Sequence, residues 1–167
     1  AVSNLIARHG VTARDVERIR VIIDEQGART VNQRRMASIN IQHLVAMMLV
    51  DGEISFASAH DAARVRDPAV LKIKDRIELA GSAAFMRTKT TQSIVEIATR
   101  DGRRLRHHTR AVLGTAANPM TRAQVEEKCR DLLVPVIGAR RARRLIDTVW
   151  RIEAVRDLRV LRPLLMS

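Results

Sequence analysis

The sequence predicts an α+β fold: a small α/β part with an antiparallel hairpin and a buried central helix over residues 1–118, then an all-helical tail over residues 119–167. Three observations carry that prediction. From Leu44 to Val50 every residue is apolar, so a helix there has no face suited to water and must be covered on all sides. Between Ser93 and Val112 two runs of strand-forming residues flank Asp101-Gly102, a pair that favours a tight hairpin turn. Beyond Asn118 the pattern becomes helical, with a capping box at Thr121 and Gln124 and apolar residues at intervals of three and four.

Taken in order, Val2, Leu5, Ile6 and His9 share one face of a first helix, which Gly10 ends. A chain opening inside an amphipathic helix, with neither start methionine nor cap, reads as part of something longer. Thr12 and Asp15 suit a short turn, and Ile19, Val21 and Ile23 alternate as in a strand. Glu25 to Ala37 is polar and reads as a loop. It leads into the central helix, within Ser38 to Gly52, which Gly52 closes in the left-handed conformation. Ser55 can cap a further helix of about ten residues, and Asp67-Pro68 starts another, with Asp as cap and Pro at the first helical position. Ile77 and Leu79 alternate in a strand over 76–80, and 81–91 reads as a loop. If Asp101-Gly102 forms a type I′ turn, Ala98 faces Leu105, Glu96 faces His107 and Ile94 faces Thr109. Neither face of that hairpin is then cleanly apolar, which suits a sheet edge or an interface. In the tail, Val125, Cys129, Leu132 and Leu133 face inward until Pro135 and Gly138 stop the helix. Ala142, Leu145, Ile146, Val149 and Ile152 form the next stripe, and Leu158, Leu161, Leu164 and Leu165 a last apolar patch.

Composition narrows the function. The chain carries 30 basic and 18 acidic residues, a net charge of +12, which raises nucleic acid as a partner. The charges are interspersed, however, and with no Tyr, two Phe and one Trp the stacking platforms of single-strand binders are nearly absent. A solvated basic surface, mildly attractive to small anions, is the expectation; nucleic acid is not. No apolar run approaches the roughly 20 residues of a membrane span, and no signal-peptide pattern opens the chain, so a soluble cytoplasmic protein is expected. A single cysteine, Cys129, excludes an internal disulfide and a cysteine metal cage. The five histidines show no ligand spacing, so no metal site is expected.

Candidate chemistry concentrates at the start of the central helix. Asn40, Gln42 and His43 bring hydrogen-bonding side chains to the end where unpaired backbone N–H groups collect, an arrangement suited to an anion. Asn40 and His43 lie three apart on one face, with Met47 four beyond, so a polar pair sits above an apolar wall. The alternative is that these groups cap the helix and fill the core. No phosphate-cradling glycine loop, nucleophile elbow or paired carboxylates accompany them.

Several motifs together resemble, in order, the C-terminal part of the MmgE/PrpD family: Asn40 to Ala46 with Leu49 to Gly52, Arg66 to Leu71, Asp101-Gly102, Gly114, Asn118 to Thr121 and Lys128. That family includes 2-methylcitrate dehydratase, cis-aconitate decarboxylase and iminodisuccinate epimerase. The resemblance implies an α/β lid over residues 1 to about 118, then helices that pack back onto a larger helical domain. It implies an active site between lid and helical domain, where small di- and tricarboxylates react without metal or organic cofactor. At the position of His43 the family often has Tyr projecting into the cleft, preceded by Ser where this chain has Asn40. His43 is therefore the expected catalytic residue, with Asn40 and Gln42 as substrate-binding support. The family's main catalytic His, Asp and Lys belong to segments outside this chain, so a partner is implied: the helical domain, as an upstream segment or a separate subunit in a homo- or hetero-oligomer. The alternative is a non-catalytic basic module that binds a protein or nucleic acid.

Overall fold

The computed structural model describes residues 1–166, a mixed α+β chain that divides into two compact units, Ala1–Pro119 and Met120–Ser167. The first unit is organised on a four-stranded sheet in the order β2-β1-β3-β4. Strand β1 (Val16–Asp24) pairs in parallel with β2 (Ile77–Ser82) and antiparallel with β3 (Ser93–Thr99), which pairs antiparallel with β4 (Arg104–Thr109). Two parallel neighbours need a crossover, and residues 25–76 supply it as helices. An irregularity in the β1/β3 register between Val16 and Arg18 lets both Val16 and Ile19 face the core, although they lie three apart.

Helix α1 (Val2–His9) ends at Gly10 in the left-handed conformation. The segment 25–37, expected as a loop, instead begins with helix α2 (Glu25–Val31). The reason is the residue before it: Asp24 ends the strand and also caps the helix, its Oδ1 accepting from Gly27 N at 2.7 Å. Helix α3 (Ile41–Asp51) is the expected central helix, with no exposed residue from Ile41 to Val50 and Gly52 at φ 83° beyond its end. The helix of about ten residues expected after Ser55 is shorter. Helix α4 (Phe56–Ala59) is one turn, because Asp61 Oδ1 accepts from Ala63 N at 2.8 Å and turns the chain into a 3₁₀ segment, Arg64–Arg66. Helix α5 (Pro68–Lys74) starts at Asp67 and Pro68 as its sequence predicts. A single turn, α6 (Ala83–Met86), interrupts the loop expected over 81–91.

The hairpin is present, but its register is one residue away from expectation: Ile97 faces Leu105, Val95 faces His107 and Ile94 faces His108. Asp101 does not adopt the positive φ that a type I′ turn needs, and only Gly102 does, at φ 85°. Thr99 O accepts from Gly102 N at 2.9 Å and Thr99 N donates to Arg103 O at 3.0 Å, so the loop holds three residues and shifts the pairing. Thr99 Oγ1 also bonds the Asp101 carboxylate and stabilises this turn. The shift gives the hairpin one apolar face, with Val95, Ile97 and Leu105 buried together, and turns Glu96 towards Arg106 rather than His107. The edge location holds for β4 alone, since β3 is internal.

The core lies between α1, α3 and α5 and one face of the sheet, with Leu5, Ile19, Met47, Val70 and Ile97 at most 3% exposed. In the second unit, α7 (Arg122–Ile137) opens on the expected Thr121/Gln124 capping box and continues through Pro135 to Gly138. It buries no residue completely: Val125, Cys129 and Leu133 are half-buried and Leu132 is exposed. Helix α8 (Ala139–Val149) buries Ala142, Leu145 and Ile146, whereas Val149 and Ile152 at the end of the same stripe are exposed. A short α9 (Arg162–Leu165) buries Leu164. Among the described residues no helix is long and apolar enough to cross a membrane.

Candidate functional site

The first turn of α3 is built by its preceding loop. Asn40 is the N-cap: its Oδ1 accepts from His43 N at 3.0 Å, and its Nδ2 donates to Arg34 O at 2.7 Å. Gln42 reaches the other way, donating from Nε2 to Asn32 Oδ1 at 2.5 Å and accepting from Gln33 N at 3.1 Å. Gln33 is the one non-glycine residue with positive φ among the described residues, and the bond from its N–H to Gln42 helps hold that conformation. Both amide side chains thus bind the segment 32–34 to the helix. Each is 2% exposed, which such pairing permits.

His43 differs from its neighbours. Its side chain is 3% exposed, and its Nε2 is buried without a hydrogen-bond partner. Burial, followed by the charges of Lys74 and Arg64, pushes the imidazole below its ordinary value, so it is neutral at pH 7. Arg64 is itself held: its guanidinium bonds both Asp51 oxygens at 2.6 Å and the carboxylate of Asp67, which in turn caps α5. This triad ties the end of α3 to the start of α5. Asp51 and Asp67 each read locally as a helix terminus, so the sequence gives no sign that one arginine joins them.

His107 and His108 are engaged separately. His107 lies 3.2 Å from Asn4, and His108 lies 2.8 Å from Gln92 Oε1 and stacks on Phe85. No group of three or more His, Cys, Asp or Glu side chains that could hold a metal ion occurs among the described residues. What the α3 turn offers is a neutral imidazole whose buried Nε2 has no partner, at the positive pole of a helix and within the field of Lys74. It can donate or accept a single proton or hydrogen bond.

No curated protein matches the chain. The family model of the MmgE/PrpD C-terminal domain matches residues 1–154, which includes the whole sheet unit and the α3 turn. A match over that share of the sequence shows that this chain belongs to the MmgE/PrpD family, as its C-terminal part.

Proposed function

We propose that this chain is the lid portion, or a lid subunit, of an MmgE/PrpD-type lyase or isomerase acting on small di- or tricarboxylates by dehydration, decarboxylation or epimerisation. The family's helical domain, from an upstream segment or a separate subunit, completes the site. The single observation that carries this reading is the family match over residues 1–154. Within it, His43 is the proposed catalytic residue, because its buried Nε2 is unpaired and its imidazole is held neutral, the state from which it can take a proton or donate a hydrogen bond. Asn40 and Gln42, the expected substrate-binding residues, use their side-chain amides to fix the turn that carries it. The helix pole with Lys74 supplies the positive field that a carboxylate needs, since Arg64 is already paired with Asp51 and Asp67. Since the imidazole is covered in this chain, the reading requires the helical domain or the substrate to displace that cover.

The test is reconstitution with the family's helical domain and a panel of di- and tricarboxylates. Turnover is expected from the pair and not from this chain alone. His43→Ala in the pair should lower kcat/KM by about 10²–10⁴-fold, the usual contribution of a positioned acid or base. Unchanged kinetics would remove His43 from the site, and a folded pair inert towards every di- and tricarboxylate tested would overturn the assignment.

A further inference from the structure

We propose that the open edge of β4 receives an acidic, extended peptide segment as a fifth strand. The hairpin register places the backbone groups. Thr99 N donates to Arg103 O at 3.0 Å, so alternation directs the N–H and C=O groups of Leu105, His107 and Thr109 at β3. Those of Arg104, Arg106 and His108 then point away from the sheet. β4 is the last strand in the order, and no backbone hydrogen bond from elsewhere reaches these three residues among those described. An edge of this kind is a template for another strand.

The side chains on the same three residues select what can pair there. Ile97 and Leu105 face the core, so Arg104 and Arg106 project to the opposite face of the sheet, where Arg18 and Arg20 of β1 join them. Together with Glu78 and Glu96 they line a groove of about 540 Å³. The two carboxylates are already engaged, Glu78 with Arg18 and Glu96 with Arg106 at 3.3 Å, whereas Arg104 has no acidic partner among the described residues. The groove therefore keeps an excess of two positive charges directly beside unpaired backbone. At the far end His108 is held by Gln92 and Phe85, which leaves Arg104 and Arg106 as the available part of the edge.

A peptide strand meets both requirements at once. Its main chain completes the ladder, and its alternate side chains fall on the arginine face at the same two-residue repeat. Carboxylates at those positions can form bidentate pairs with guanidinium groups. A second copy of β4 would set arginine against arginine, which opposes self-pairing. Nucleic acid would meet the charge but not the ladder.

Titrating the full chain with a short fluorescent peptide that alternates Glu and Thr tests this by anisotropy, with hydrogen exchange read by NMR. Saturable binding is expected, with new protection of the Arg104 and Arg106 amides. Arg104→Glu with Arg106→Glu should weaken it by about tenfold or more, as reversal of interfacial charges does. The same peptide N-methylated at alternate residues should lose affinity to a similar extent on the unaltered chain, a comparison that holds even if the double variant folds poorly. No binding, binding indifferent to N-methylation, or an equal affinity for a DNA oligonucleotide of matched charge would overturn the proposal.

Discussion

The two units of this chain solve the burial problem to different degrees. In the first, residues from α1, α3, α5 and all four strands enclose one core, and α3 contributes six buried side chains from an eleven-residue helix. In the second, the sixteen residues of α7 bury none completely, and large apolar side chains such as Val136 (68% exposed), Leu158 (61%) and Leu165 (60%) face outward. A helix buries one stripe against one neighbour, whereas a sheet presents a broad face that several helices can cover. The small helical unit therefore covers only Ala142, Leu145 and Ile146 of the α8 stripe and leaves other apolar surface uncovered.

Substitutions can break or sharpen that contrast. The largest effect is expected in the first unit: Met47→Ala empties a fully buried position of α3 and should cost about 2–5 kcal/mol. Leu132→Ala in α7 should cost under about 1 kcal/mol by urea unfolding, because its side chain is already wetted. Equal losses would contradict the contrast. Next in size is the comparison of two helix caps. Asn40→Ala removes the bond to His43 N and strands Arg34 O, for about 1–2 kcal/mol, while Thr121→Ala, at an exposed cap, should cost nearer 0.5–1 kcal/mol.

Acid should separate the units in a smaller way. The folded chain holds the His43 imidazole below its ordinary value of 6.5, so the unfolded chain takes up that proton first as pH falls. The stability His43 contributes is complete above about pH 6.5 and is lost as pH falls from there through the folded-state value. His107, lowered by burial, the N-terminus and Arg8, acts with the same sign. All five histidines lie in the first unit, so its melting temperature should drop between pH 7 and 5 while that of the second stays flat. His43→Gln should reduce that slope; an unchanged slope would separate it from His43. The smallest effect is expected for Val136→Glu, which should alter stability by less than about 0.5 kcal/mol, since the position is wetted already. A larger loss in the unfolding curve would show that this side chain has a hidden packing role.

Much of this was legible because the deciding residues are neighbours in sequence. The apolar run over Leu44–Val50, the Asp67-Pro68 start and the Thr121/Gln124 box each place cap and helix within a few residues, and each forms as read. Asn40, Gln42 and His43 were likewise placed on one helical turn. Their separate fates were not legible. Which polar groups pair depends on where residues 32–34 and the start of α5 arrive, and this leaves Asn40 and Gln42 bonded and His43 Nε2 alone. Helix α2 is not legible because Glu25 to Ala37 is polar and contains Gly27, whereas the cap that starts it, Asp24, is also the last residue of β1.

The sequence by itself determined the central helix, the starts of α5 and α7, the presence of the hairpin and the motif order shared with the MmgE/PrpD family, because capping, turn preference and apolar periodicity act over a few residues. Only the tertiary structure decided the hairpin register, the Asp51–Arg64–Asp67 tie and the arginine face beside an open edge. A register changes with one residue in a turn and reverses every side chain along the strand, and a groove exists only once separate strands lie side by side.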